Sequence, residues 1–142
     1  MYERLSADAQ KAMKRAKGIA DEMGQEYMGT EHILLALAVS KAGQTSDILQ
    51  RHGATPSALR VKIEALIREQ LSDSVVTGSL PTTPHLQKVM THAIEHARRA
   101  KRKTVETSDL LTALIEARGS VARVALEEVG VDLEQLKEEI PE

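Results

Sequence analysis

Shifted against itself by 77 positions, this sequence of 142 residues repeats. Gln10-Lys11-Ala12-Met13 falls on Gln87-Lys88-Val89-Met90, and Thr30-Glu31-His32-Ile33-Leu34-Leu35-Ala36-Leu37 falls on Thr107-Ser108-Asp109-Leu110-Leu111-Thr112-Ala113-Leu114. The register needs no gap: Ala16 meets Ala93, Leu49 meets Leu126, Gly53 meets Gly130 and Ile63 meets Ile140. Residues 10–63 and 87–140 share thirteen identities in 54 positions, so the chain carries two copies of one unit that should adopt one fold twice.

The apolar residues inside each copy recur at helical spacing. Ala9, Met13, Ala16, Ala20 and Met23 form one stripe, and Leu86, Val89, Met90, Ala93, Ala97 and Ala100 form its counterpart. Ser6 is placed to cap the first helix, Pro84 to open the counterpart after Thr83, and Gly24 to close the first in a left-handed conformation. Thr30 and Thr107 each precede an apolar run, as N-caps do. A third short helix should end before Gly53 and Gly130, and a fourth should run from about Ser57 to Glu69, matched by Asp132 to Glu139. The expected fold is all-α: eight helices as two pseudo-symmetric four-helix repeats, over about 1–71 and 84–142, with a polar, turn-rich linker over about 72–83. Because a copy of about 65 residues buries little apolar area alone, the two should pack as one domain. With Phe 0, Trp 0 and Tyr 2, the core falls to Leu, Ile, Val, Met and Ala, which suit closely packed helices.

Composition removes several functions. Cys 0 excludes disulfides, Cys-ligated metal and thiol catalysis. A net charge of −2 gives no global attraction to nucleic acid or an anionic membrane, and the scarcity of aromatics leaves no stacking platform for single strands. No apolar run reaches the ~18–20 residues of a membrane span, and Met1-Tyr2-Glu3-Arg4 is not a leader, so the expected location is cytoplasmic. The glycines of Gly24-Gln25-Glu26-Tyr27-Met28-Gly29-Thr30 have phosphate-loop spacing. The Lys-Ser/Thr that should follow is missing, and a helix precedes where a strand is required, so the segment reads as a helix–helix turn. No HExxH or GxSxG is present. The expectation is a non-enzyme with no cofactor.

Two clusters invite alternatives. His85, His92 and His96 lie within about 40° on one helix flank, a spacing that suits zinc or nickel, but no acidic support is evident and no metal is expected. Arg98-Arg99-Ala100-Lys101-Arg102-Lys103 packs five positive charges into six residues, which could contact phosphates as a polyanion-binding or nucleic-acid-binding module. The same cations also complement a helix C-terminus, and a charge run is usually a solvated face.

Gly29-Thr30-Glu31-His32-Ile33-Leu34-Leu35-Ala36-Leu37 resembles the GTEHILLGL signature of the double Clp amino-terminal (Clp R) domain of ClpC-, ClpA- and ClpB-class AAA+ unfoldases. Met1-Tyr2-Glu3-Arg4-Leu5-Ser6 is similar to the ClpC opening M-F-x-R-F-T, and Leu80-Pro81-Thr82-Thr83-Pro84-His85-Leu86-Gln87-Lys88-Val89 to its I-P-F-T-P-R-A-K-K-V passage. The resemblance spans nearly the whole chain. It implies a domain that docks substrates and adaptor proteins for ATPase rings whose Walker motifs are absent here. The chain would then be either the domain of such an unfoldase or a stand-alone accessory subunit of a Clp protease, monomeric when isolated. The resemblance also implies partner-binding positions at Glu31, Ser6, Thr30, Thr83 and Tyr2. The resemblance further implies the chemistry of ClpC-type domains of Gram-positive bacteria, which bind phosphorylated arginine through their repeated signature. In that chemistry a carboxylate pairs the guanidinium while helix N-terminal amides and a hydroxyl hold the phosphate. Here Glu31 matches the carboxylate and Ser6 the hydroxyl of the first copy. The second copy keeps Thr83 but has Ser108 at the Glu position, so at most one such site is expected. A bland reading also stands, in which Ile33, Leu34 and Leu37 are core, Thr30 is a cap and Glu31 complements its helix dipole.

Overall fold

The computed structural model describes residues 4–25, 27–40, 44–68 and 84–141, and every regular element among them is an α-helix. The first copy comprises α1 (Ala7–Glu22), α2 (Thr30–Val39), α3 (Thr45–Arg51) and α4 (Pro56–Arg68). The second comprises α5 (Pro84–Arg99), α6 (Thr107–Glu116), α7 (Val121–Glu128) and α8 (Leu133–Glu139). Moved along by the repeat length, the bounds of α1 and α2 coincide with those of α5 and α6, and α8 begins where a shifted α4 would. The linker expected over about 72–83 lies outside the described residues.

Helix ends follow the expected chemistry with one difference. Ser6 Oγ accepts the Ala9 N–H at 3.1 Å and caps α1. Gly24, Gly53 and Gly130 stand just past α1, α3 and α7 at φ +70°, +90° and +91°. The place after α5 that Gly24 holds after α1 is taken by Lys101, at φ +61°. A Cβ in the left-handed region costs about 1 kcal/mol, so Lys101→Gly should stabilise the chain by up to about that amount. A urea midpoint that stays put or falls would contradict this.

The difference concerns Thr30 and Thr107. Each is the first residue of its helix rather than its cap, and the N-caps are Gly29 and Glu106. The third residue of each helix reaches back in capping-box fashion: His32 Nδ1 accepts the Gly29 N–H at 3.0 Å, and Asp109 Oδ2 accepts the Glu106 N–H at 2.8 Å. The threonine hydroxyl of α2 is thereby released for another role.

α1 packs on α2 and α5 on α6, while α2 also meets α6 and α7 and α4 meets α7. Buried side chains of both copies join in one cluster. Its middle is α2, buried from Thr30 to Ala38, as a helix apolar on all sides must be. Ile33, Leu34 and Leu37 are buried there, as the bland reading of the signature expects. Polar links cross between the copies, at the surface from Lys62 to Glu128 and from Arg51 and His52 to Glu139, and two more through backbone N–H groups. Thr30 Oγ1 accepts the Ala122 N–H of α7 at 3.2 Å, so a residue of the first copy serves a helix start in the second. Ahead of α1, Leu5 forms a parallel bridge with Val105: the Val105 N–H donates to the Arg4 carbonyl at 2.6 Å, and the Ser6 N–H to the Val105 carbonyl at 2.9 Å.

Candidate functional site

Of the positions implied by the resemblance, Thr30 and Glu31 open α2. Glu31 is its second residue, where the exposed amides of a helix N-terminus favour a carboxylate. It is fully buried, and the hydroxyl of Tyr27, in the turn before α2, donates to its Oε2 at 3.2 Å. The Tyr27 ring also lies 5.7 Å from that of His32 at a tilted angle. Thr30 is buried beside Glu31, with its oxygen engaged by α7. Ser6 is half-buried, and its oxygen is engaged by the first turn of α1. Tyr2 and Thr83 lie outside the described residues. The structure thus places Thr30 and Glu31 side by side within the fold and gives Ser6 a capping role.

The second copy solves the same corner with charge. At the Glu31 position Ser108 is half-buried, and the acid has moved one residue on, to Asp109, which is fully buried. Arg102 grips Asp109 with both terminal nitrogens, Nη2 at 2.7 Å from Oδ1 and Nη1 against Oδ2, and His96 Nδ1 lies 2.5 Å from Oδ1. Burial pushes the Asp109 carboxyl up, but hydrogen bonds from Arg102, the Glu106 N–H and His96 outweigh it and hold the carboxyl below the usual range. The equivalent positions in the first copy are Ile19, Gln25 and His32, so this cluster belongs to one copy alone.

His32 is the counterpart of Asp109 and carries the opposite electrostatics. Its Nδ1 accepts a backbone N–H, which places the ring proton on Nε2. That nitrogen is buried and has no hydrogen-bond partner among the described residues. Burial lowers the His32 pKa to about 4, so the imidazole is neutral at neutral pH.

Neither cluster singled out in the sequence stays whole. His96 turns to Asp109 while His85 is half-buried and His92 exposed, and among the described residues no three His, Cys, Asp or Glu side chains are grouped to hold a metal. Arg102 leaves the basic run for Asp109, and Arg98, Arg99, Lys101 and Lys103 stay exposed. The capping-box spacing from Glu106 to Asp109 was the sequence signal for this inward acid.

Comparison with known proteins fits the same pattern. The family model of the Clp repeat (R) N-terminal domain matches residues 4–122 and 92–142. The chain belongs to the Clp repeat N-terminal domain family. Among curated relatives, an ATP-dependent Clp protease ATP-binding subunit ClpA homolog from Cyanidium caldarium is 33% identical over 140 residues. The match covers 99% of this chain and 16% of that protein. The chaperone protein ClpC2, chloroplastic, of Oryza sativa subsp. japonica is 28% identical, with 99% of this chain and 15% of that protein covered. The chain therefore spans about one sixth of the curated relatives it matches. Of solved structures, the N-terminal domain of the caseinolytic protease associated chaperone ClpD from Arabidopsis thaliana aligns with a TM-score of 0.78 at 18% identity, covering 97% of this chain and 95% of that one. The Hsp104 N-terminal domain from Candida albicans aligns at 0.69 with 16% identity, covering 94% and 87%. These neighbours show that the eight helices adopt the Clp N-domain fold. No helix among the described residues is long and apolar enough to cross a membrane, and relatives named as chloroplastic leave the compartment broader than the cytoplasm expected from sequence.

Proposed function

We propose that this Clp repeat domain is a protein-docking module of a ClpC-like AAA+ unfoldase or Clp protease system, binding adaptors and substrates without turning over nucleotide. The observation that carries the reading is the family match running through both copies, in a chain whose sequence holds no Walker motif. The same chemistry serves a stand-alone accessory subunit equally well. Purified chain on beads, offered a ClpC-type ATPase, an adaptor and an unfolded substrate separately, should retain at least one of them and hydrolyse no ATP. Retention of the ATPase ring alone selects the accessory-subunit form. Steady-state ATP hydrolysis above a mock preparation, or retention of none of the three, overturns the reading.

Its finer form assigns Glu31, with Ser6 and Thr30 and with Tyr2 and Thr83 as family positions, to a phosphoarginine-type site in the first copy only. Support comes from the carboxylate at the α2 N-terminus and from the uncharged Ser108 at its second-copy position. Titration with free phosphoarginine should show one site, lost in Glu31→Ala. Two equivalent sites, or binding indifferent to that substitution, reject this form, and no binding leaves the docking role with a different specificity.

A further inference from the structure

α1 ends with its charges the wrong way round for a helix. The first turn holds Asp8, but Lys11, Lys14, Arg15 and Lys17 crowd the turns that follow, and the last turn holds Asp21 and Glu22 with no base. Cations are favoured at the other end of a helix dipole, and like charges three residues apart repel. Among the described residues Lys11, Lys14 and Lys17 form no ion pair, which leaves their charged heads available to a partner. The second copy supplies the control. At the same positions α5 has Lys88, Thr91 and Ile94, and its bases lie in the last turn at His96, Arg98 and Arg99, as the dipole favours. One fold made twice from one repeat therefore does not need the lysine rim.

The three lysines border a groove of about 530 Å³ whose floor includes Met13 and Met28. The flexible thioethers of methionine adapt to varied apolar side chains, and lysine stems add apolar wall beneath their charged heads. We infer that this groove of the first copy binds acidic peptide segments of partner proteins, with one apolar side chain seated on Met13 and Met28 and flanking carboxylates paired to Lys11, Lys14 and Lys17. Charge complementarity selects an acidic occupant, and the apolar floor selects a peptide over a single-stranded polynucleotide, which would rely on a stacking surface. The inference rests on the docking role proposed above and names the chemistry of what is docked.

The test is fluorescence anisotropy of the whole chain with labelled Glu-Glu-Leu-Glu-Glu, with amide shifts followed by NMR. The expected result is salt-sensitive binding, shifts along α1 and at Met28, and about tenfold weaker affinity in Lys14→Glu/Lys17→Glu, as reversal of two exposed charges implies. Because both lysines are exposed, the variant should fold as the parent does. Equal binding by the variant overturns the inference. So does equal binding of Glu-Glu-Ser-Glu-Glu, which would leave a charge patch without an anchor pocket. Displacement by a short single-stranded oligonucleotide, shifts confined to other helices, or no binding also overturn it. A chain that retains a Clp ATPase or adaptor yet ignores the peptide loses the groove assignment and keeps the docking role. Peptide binding in the groove with no such partner retained does the reverse.

Discussion

Asp109→Asn should lower the stability of the fold by about 3 kcal/mol at neutral pH, the cost of leaving a paired, buried charge without its partner. Asparagine keeps an oxygen for the Glu106 N–H, so the loss isolates the charge facing Arg102 and His96. The figure sits at the low end for such pairs because the Arg102 side chain is still 24% exposed and water screens it in part. Urea unfolding measures it, and a second replacement, Arg102→Met, should recover much of the loss by removing the stranded cation. The carboxyl titrates lower in the fold than its unfolded value of 3.8. Its contribution is therefore complete above pH 3.8 and is lost as pH falls below that value. A loss under about 1 kcal/mol in Asp109→Asn would mean that the pair behaves as a surface ion pair.

His32 governs a separate and higher pH window. Unfolded, it takes up a proton near pH 6.5, and in the fold burial delays protonation to about pH 4. Between these values the unfolded chain binds a proton that the native state refuses, so stability rises with pH and is complete above 6.5. The span converts to about 3 kcal/mol lost between pH 6.5 and 4. His32→Gln should flatten that slope while keeping a side-chain acceptor for the Gly29 N–H, glutamine being a natural third residue of a capping box. Unfolding curves at half-unit pH steps decide the matter: a slope that persists in His32→Gln assigns the titration to another group. The Asp109 and His32 windows do not overlap, so each variant should alter its own part of the profile.

The helices were legible in the sequence because the repeat gave several boundaries, such as Gly53 and Gly130, a second witness. Ser6, Gly24, Gly53, Gly130 and Pro84 each carry a local backbone preference that acts before any tertiary contact. What escaped was the direction of polar side chains. Arg102 read as one member of a basic run because composition cannot tell a solvated cation from one turned across a tight corner onto Asp109. Thr30 read as a cap for its own helix, since a hydroxyl ahead of an apolar run has that local use. In the fold its hydroxyl accepts an N–H from the first turn of α7, a helix beginning some ninety residues later in the chain and capped by its own Ser120. Glu31 reads in sequence as a helix-start carboxylate, and its burial against Tyr27 depends on how the turn before α2 closes.

The links from Arg4 and Ser6 to Val105, and from Thr30 to Ala122, bear on how the protein is born. A chain emerging residue by residue makes all of α1 and α2 long before the atoms that complete their hydrogen bonds exist. Until synthesis passes Ala122, the apolar α2 has only its own copy to shelter it, and contacts of such long sequence separation form late and slowly. The nascent first copy is then itself an unfinished protein with exposed apolar surface, and the Clp repeat fold closes only once the second copy has left the ribosome.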